Sequence, residues 1–158
     1  MRWLTRERAL IDRVACPWLI RRFIDPQAEF LFGPEQELRA LALKHQATLY
    51  DVKDADVELT HVGSHCSFDA FLKKYALADG ALAQVALIVR GADTARLDLA
   101  PQCAGLLAIS QGLRRVATSD AHMLELATPI YEALYAWALH QDWKQEHNWT
   151  YTYPRGWT

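Results

Sequence analysis

Residues 51–69 read DVKDADVELTHVGSHCSFD and bring His61, His65 and Cys66 within six positions of one another. Imidazole, thiolate and carboxylate are the side chains that hold transition metals, and these three could supply three ligands. Asp51, Asp93 and His147 could join them from other elements. The His-x3-His spacing faces one way only on a helical turn, and Gly63 between the two histidines argues against such a turn. The competing reading is structural: His61 bonded to a backbone carbonyl, His65 in solvent and Cys66 a small buried cap.

A second chemistry is anion binding. Guanidinium groups hold tetrahedral oxyanions through paired donors, and Arg13, Arg21, Arg22 and Arg90 could converge on one. Free amides ahead of a helix opening at Pro17 would add to them. The alternative pairs these arginines on the surface with Asp25 or Glu29. A third chemistry is thiol catalysis. Cys16 ahead of a helix start sits where thiol pKa values fall, and Cys66 has two histidine neighbours. No third orienting group and no CxxC pair accompany them. Trp18, Trp137 and the Tyr131/Tyr135 stripe have helical spacing and read as core or dimer packing.

The elements that must place these residues follow from periodicity and punctuation. Residues 3–5 read as a short strand. Proline suits a first helical turn, so a helix opens at Pro17, buries Leu19, Ile20, Phe23 and Ile24, and closes at Asp25-Pro26. That reading leaves Asp12, Arg13 and Cys16 on the loop before it. Residues 28–32 form a strand, 34–46 a helix and 48–52 a strand. Short alternating connections predict a small parallel layer whose ligands collect at the C-terminal strand ends, where Asp51 falls. Beyond Cys66 the pattern is almost wholly helical. Cys66 or Ser67 caps a helix over 67–77, and an apolar helix spans 81–94. A helix over 101–117 has Gly105 and Gly112 spaced for close packing. Ser119-Asp120 caps a long helix to His140, kinked at Pro129. The expected fold class is α/β: a small, mostly parallel sheet in the N-terminal half and a largely helical C-terminal half, one domain over 1–158.

Composition narrows the function classes. The chain has 158 residues, 51% hydrophobic and 23% charged, with a formal net charge of −2. Neither nucleic acid nor an anionic membrane has an electrostatic claim on it. The N-terminal stretch is too polar for a signal peptide and no run reaches the roughly 18 apolar residues that span a bilayer. Three cysteines without framework spacing fit reduced thiols, and the expectation is a cytoplasmic protein. Trp143, Trp149 and Trp157 crowd the C-terminal stretch, which is expected to pack on the domain or on a second copy.

Three blocks carry a resemblance: IDRVACPWLIRRFIDPQAEFLF, ELTHVGSHCSFDAFLKKYAL and IVRGADTARLDLAPQCAGLLAIS. Together they resemble the C-terminal domain of the chromate-resistance ChrB family, over roughly residues 3–149. The matching positions are Asp12, Arg13, Cys16, Pro17, Trp18, Arg21, Arg22 and Asp25, then Asp51, His61, Gly63, Cys66, Ser67 and Phe68, then Arg90, Asp93 and Thr94. His65 lies between them. The resemblance implies a link to bacterial chromate resistance, as a regulator or accessory protein beside an efflux pump. Some members carry an N-terminal DNA-binding region or a rhodanese-like fusion; neither is found in this sequence, so no nucleic-acid partner is expected. The layout also resembles DHH-type metal-dependent phosphoesterases, without their Asp-His-His triplet. That likeness implies Asp12, Asp51, His61 and Asp93 converging on one divalent cation.

The expected metal set is therefore Asp51, His61, Cys66, Asp12 and Asp93, holding Zn or Mn. Arg13, Arg21 and Arg90 are the expected oxyanion donors. The partners are a small anion or metal ion, with a homodimer as a further expectation. Three functions stand open: a metal- or oxyanion-binding sensor or accessory domain, a divalent-metal hydrolase, and a dimerising interaction domain.

Overall fold

The computed structural model describes residues 1–54 and 56–140. His147 and the tryptophans at 143, 149 and 157 lie outside the described residues. Strand β1 (Arg2–Arg6) is followed by helix α1 (Asp12–Phe23), β2 (Glu29–Gly33), a 3-10 turn (Glu35–Glu37), α2 (Leu38–His45) and β3 (Thr48–Leu49). Four helices complete the fold: α3 (Ser67–Lys74), α4 (Gly80–Asp93), α5 (Cys103–Val116) and α6 (Asp120–Leu139). The expected class is what forms, a three-stranded parallel sheet followed by a helical half. The strand order is β2-β1-β3, so the chain leaves β1 towards one side and later returns to its other side. In such sheets a crevice opens at the C-terminal strand ends where the order reverses. Here that point lies between the ends of β1 and β3.

Alternation along β1 divides the core. Trp3 faces α1 and the helical half, packing on Tyr50 and Phe71 with ring centroids 6.5 and 5.4 Å away. Leu4 faces the other way, in a smaller cluster with Leu38, Val52 and Val57. Trp18 joins α1 to α3 and α6, stacked 6.4 Å from Phe68 and 5.9 Å from Tyr131. The aromatic stripe of α6 is thus core packing.

Helix α1 opens at Asp12, not at Pro17, so Asp12 and Arg13 form its first turn and Cys16 lies inside it. An internal proline lacks the N–H that would bond the carbonyl four residues back, here that of Arg13. The Tyr50 hydroxyl donates to that carbonyl at 3.3 Å. The free acceptor therefore has a partner, and the helix continues through the proline. Burial and nearby carboxylates push the Cys16 thiol well above its usual pKa, the opposite of an activated nucleophile.

The glycine expectation also changes. Gly105 and Gly112 face open space, whereas a Cβ on Gly91 would collide with Cys103 Sγ and the Arg96 carbonyl. The close approach of α4 and α5 is at Gly91. Strand β3 stops at Leu49 because the chain turns at Asp51, whose φ is +50° and whose N–H bonds Leu59 O at 2.8 Å.

Candidate metal centre at the sheet edge

Three helix ends meet beyond β1 and β3. Asp12 is the first residue of α1, Ser67 the first of α3 and Asp93 the last of α4. Asp51 follows β3, and His61 comes from the connection between β3 and α3. A tight turn closes that connection, with Val62 and His65 paired through two 3.1 Å backbone bonds and Gly63 at φ +61°. Glycine takes that left-handed conformation without the steric cost a side chain would bring.

His61 Nε2 is the hub. It lies 3.3 Å from Asp12 Oδ2, 3.3 Å from Asp51 Oδ1 and 3.1 Å from Asp93 Oδ2. Donor atoms of Asp12, Asp51 and His61 all fall within 4.8 Å of one another. The Ser67 amide donates to Asp12 Oδ2 at 2.5 Å, and the Ser67 hydroxyl to Asp51 Oδ1 at 2.7 Å. A carboxylate at a helix N-terminus meets unpaired amides and the positive end of the dipole, which orients Asp12 at little cost. Arg13 Nε and Arg6 Nη2 each lie 3.4 Å from Asp51 Oδ2.

Backbone strain sits at the same place. Ile11, just ahead of Asp12, has φ +20°, and Asp51 has φ +50°. For the β-branched Ile11 this is a rare conformation that costs on the order of 1–3 kcal/mol, while aspartate enters the left-handed region more readily.

The electrostatics gather three carboxylates around one imidazole. Asp12 is 1% exposed, and burial lifts its pKa to about 6, against the opposing pull of its hydrogen bond to His61. Its Oδ1 is buried without a hydrogen-bond partner. Hydrogen bonds to Asp12, Asp51 and Asp93 push His61 up to about 12. At Asp51 burial acts upward, but His61, Ser67, Arg13 and Arg6 together hold it below the usual carboxylate range. Asp12, Asp51 and His61, whose donor atoms cluster, are residue types that fit a divalent ion such as Mn or Zn. Asp93 lies 3.1 Å from the imidazole, and Asp12 Oδ1 has no other partner.

The expected residues do not all converge. Asp12, Asp51, His61 and Asp93 do. Cys66 caps α3 beside Asp12, but its thiol is buried and is pushed far up by burial and by Asp12 and Asp69. His65 stands on the far side of the turn. Arg13 reaches the centre through Asp51. Arg21 instead bonds Ala28 O at 3.4 Å and covers the Phe30 ring at 4.9 Å, because its position on α1 faces β2. Arg90 is engaged by Asp69 through bonds of 2.8 and 2.6 Å, and Asp69 also accepts the Cys66 amide at 3.0 Å. Neither is a donor at the centre. Sequence reasoning missed Arg6, whose signal was its place as the last residue of a strand at the sheet's C-terminal edge. It also offered Ser67 as an alternative to Cys66 for the cap, where its two donors serve the carboxylates.

Fold and site define an α/β domain with a carboxylate–histidine centre at the switch point of a parallel sheet. The family model described as the C-terminal domain of ChrB matches residues 3–138. The chain belongs to that family. It is 33% identical over 134 residues to the curated "Protein ChrB" of Cupriavidus metallidurans. The match covers 84% of this chain and 39% of that protein, so the chain spans well under half of its relative's length. No solved structure matches it. Among the described residues no helix is long and apolar enough to cross a membrane.

Proposed function

We propose that this domain binds one divalent cation through Asp12, Asp51 and His61, with Asp93 completing the set, and serves as a sensor or accessory domain in chromate resistance. The observation that carries the reading is the convergence of three carboxylates from three separate elements on His61 Nε2. A lone structural histidine needs one carboxylate or carbonyl; three, one of them with an unpartnered buried oxygen, favour a cation of higher charge than a proton. Family membership supports the chromate association.

A small oxyanion would meet the cation from one side. A cavity of about 350 Å³ borders Asp51, His61 and Asp93 and is rimmed by Arg6, Arg13 and Lys53. Such an opening also favours a second reading, a divalent-metal hydrolase. Catalytic metal centres keep one position for water or substrate, while structural ones are closed. There Asp12, Asp51, His61 and Asp93 would hold the ion, and the arginines would orient the anionic substrate. The ion would supply an activated water or Lewis acidity.

The test is elemental analysis of untagged wild type and His61→Ala, as purified and after loading with Mn²⁺ or Zn²⁺ and desalting. One equivalent retained by wild type and lost by the variant is expected. Failure of loaded wild type to retain either ion overturns the cation reading. Turnover of a phosphoester by the loaded protein would select the hydrolase; bound chromate or sulfate without turnover would select the sensor.

A further inference from the structure

A larger cleft lies behind the turn that carries His61. It encloses about 910 Å³ between the 58–66 segment, α3 and the end of α4. Its walls include Thr60, Val62, His65, Leu72, Lys73 and Arg90. A volume of this size holds a small organic ligand, and the lining offers both apolar surface at Val62, Ala70 and Leu72 and several charged groups.

The charges along it select the ligand's sign. Arg90 is matched by Asp69, and Lys74 by Glu58. Lys73 has no acidic partner among the described residues, so the lining keeps a positive surplus. Val62, a β-branched apolar residue, is 65% exposed on the rim. Leu72 continues that apolar surface inside. An apolar body against Val62 and Leu72, with an acidic group towards Lys73, satisfies both features.

The cleft also touches the metal centre's support. Thr60 lines both cavities, Val62 faces the larger one and His61 the smaller. One short segment therefore forms the partition, its side chains alternating between the two. Its tip is held only by the Val62–His65 pair among the described residues.

We propose that this cleft binds an organic monoanion with an apolar ring or branched body, and that occupancy is coupled to the cation centre through residues 60–65. The coupling rests on the cation reading above; the binding does not. Coupling between two sites is reciprocal: each ligand changes the other's affinity by the same factor.

The probe is 8-anilinonaphthalene-1-sulfonate, an apolar ring system with one sulfonate, titrated by fluorescence into metal-free protein. One saturable site is expected, weakened about ten-fold or more in both Lys73→Glu and Val62→Glu. Both positions are exposed, and unchanged circular dichroism and melting would show the fold intact. Unaltered dye affinity in the two variants, or several equivalent sites, overturns the cleft. With saturating Mn²⁺ the dye Kd shifts, and dye shifts the Mn²⁺ Kd by an equal factor. Independent constants overturn the coupling. Absence of Mn²⁺ binding defeats the cation reading and with it the coupling, while dye binding to the metal-free protein still decides the cleft.

Discussion

Asp51 shows how much of this site is made by neighbours. Its carboxylate is turned inward by a left-handed backbone, accepts from Ser67, faces two arginines and touches His61. Ser67 is a positioning residue: its hydroxyl fixes the oxygen that faces His61. Outer partners of metal ligands are worth on the order of 10–100-fold in affinity. Ser67→Ala is expected to weaken Mn²⁺ or Zn²⁺ binding by about ten-fold or more in competition with a chelating dye, with one equivalent still bound at saturation. Asp79 carries a purely structural version of the same chemistry. It caps α4 by accepting from the Ala81 and Leu82 amides and also accepts from the Tyr135 hydroxyl at 2.8 Å. The Tyr135 bond, then the Leu82 amide, hold its pKa below the ordinary value. A carboxyl depressed in the folded state adds stability above its unfolded pKa and loses it as pH falls through the folded one. Asp79→Ala should cost about 1 kcal/mol at neutral pH. Denaturant melts of the two proteins should converge as pH drops below about 4.

At the scale of elements, the helix ends do the aiming. The N-termini of α1 and α3 and the C-terminus of α4 deliver Asp12, Ser67 and Asp93, so the packing of α4 bears on the site. Gly91, two residues before Asp93, lets α5 approach so closely that any Cβ meets Cys103. Gly91→Ala should destabilise by about 1–3 kcal/mol through overpacking. Gly112→Ala, in open space within α5, should stabilise by roughly 0.5–1 kcal/mol because an internal helical glycine carries an entropic cost. Thermal or urea denaturation separates the two by sign.

The whole molecule is tied together at the centre. The four candidate ligands come from positions 12, 51, 61 and 93, spanning the sheet half and the helical half. An ion held by all four binds the native state and not the unfolded chain. At a free concentration of about 100 times Kd it should add about 2.7 kcal/mol to unfolding free energy. Scanning calorimetry should show that rise in wild type and none in His61→Ala. Equal shifts in both would place the ion elsewhere.

The element order, the α/β class and the caps of α3 and α6 were legible in the sequence, since hydrophobic period, proline, glycine and capping residues act locally; the start of α1 and the Asp79 cap of α4 were not. Ser119 does cap α6, accepting from the His122 amide at 3.1 Å, and of the two caps offered for α3 it is Cys66 that serves, with Asp69 completing a capping box. Asp12 and Asp51 could be placed near the sheet's C-terminal edge, where such sheets gather ligands; that His61 and Asp93 would join them was implied only by the resemblance to DHH-type phosphoesterases. What the linear chain left open was which side chains face one another. The start of α1 depended on a tyrosine 33 positions beyond Pro17 taking the carbonyl that proline leaves free. Arg21 and Arg90 looked like anion donors until packing set one against β2 and gave the other to Asp69. His65 and His61, four apart, ended on opposite sides of a turn because Gly63 reverses the chain between them. Local preferences are written residue by residue along the chain; convergence is a property of three-dimensional packing, and only the tertiary structure decides it.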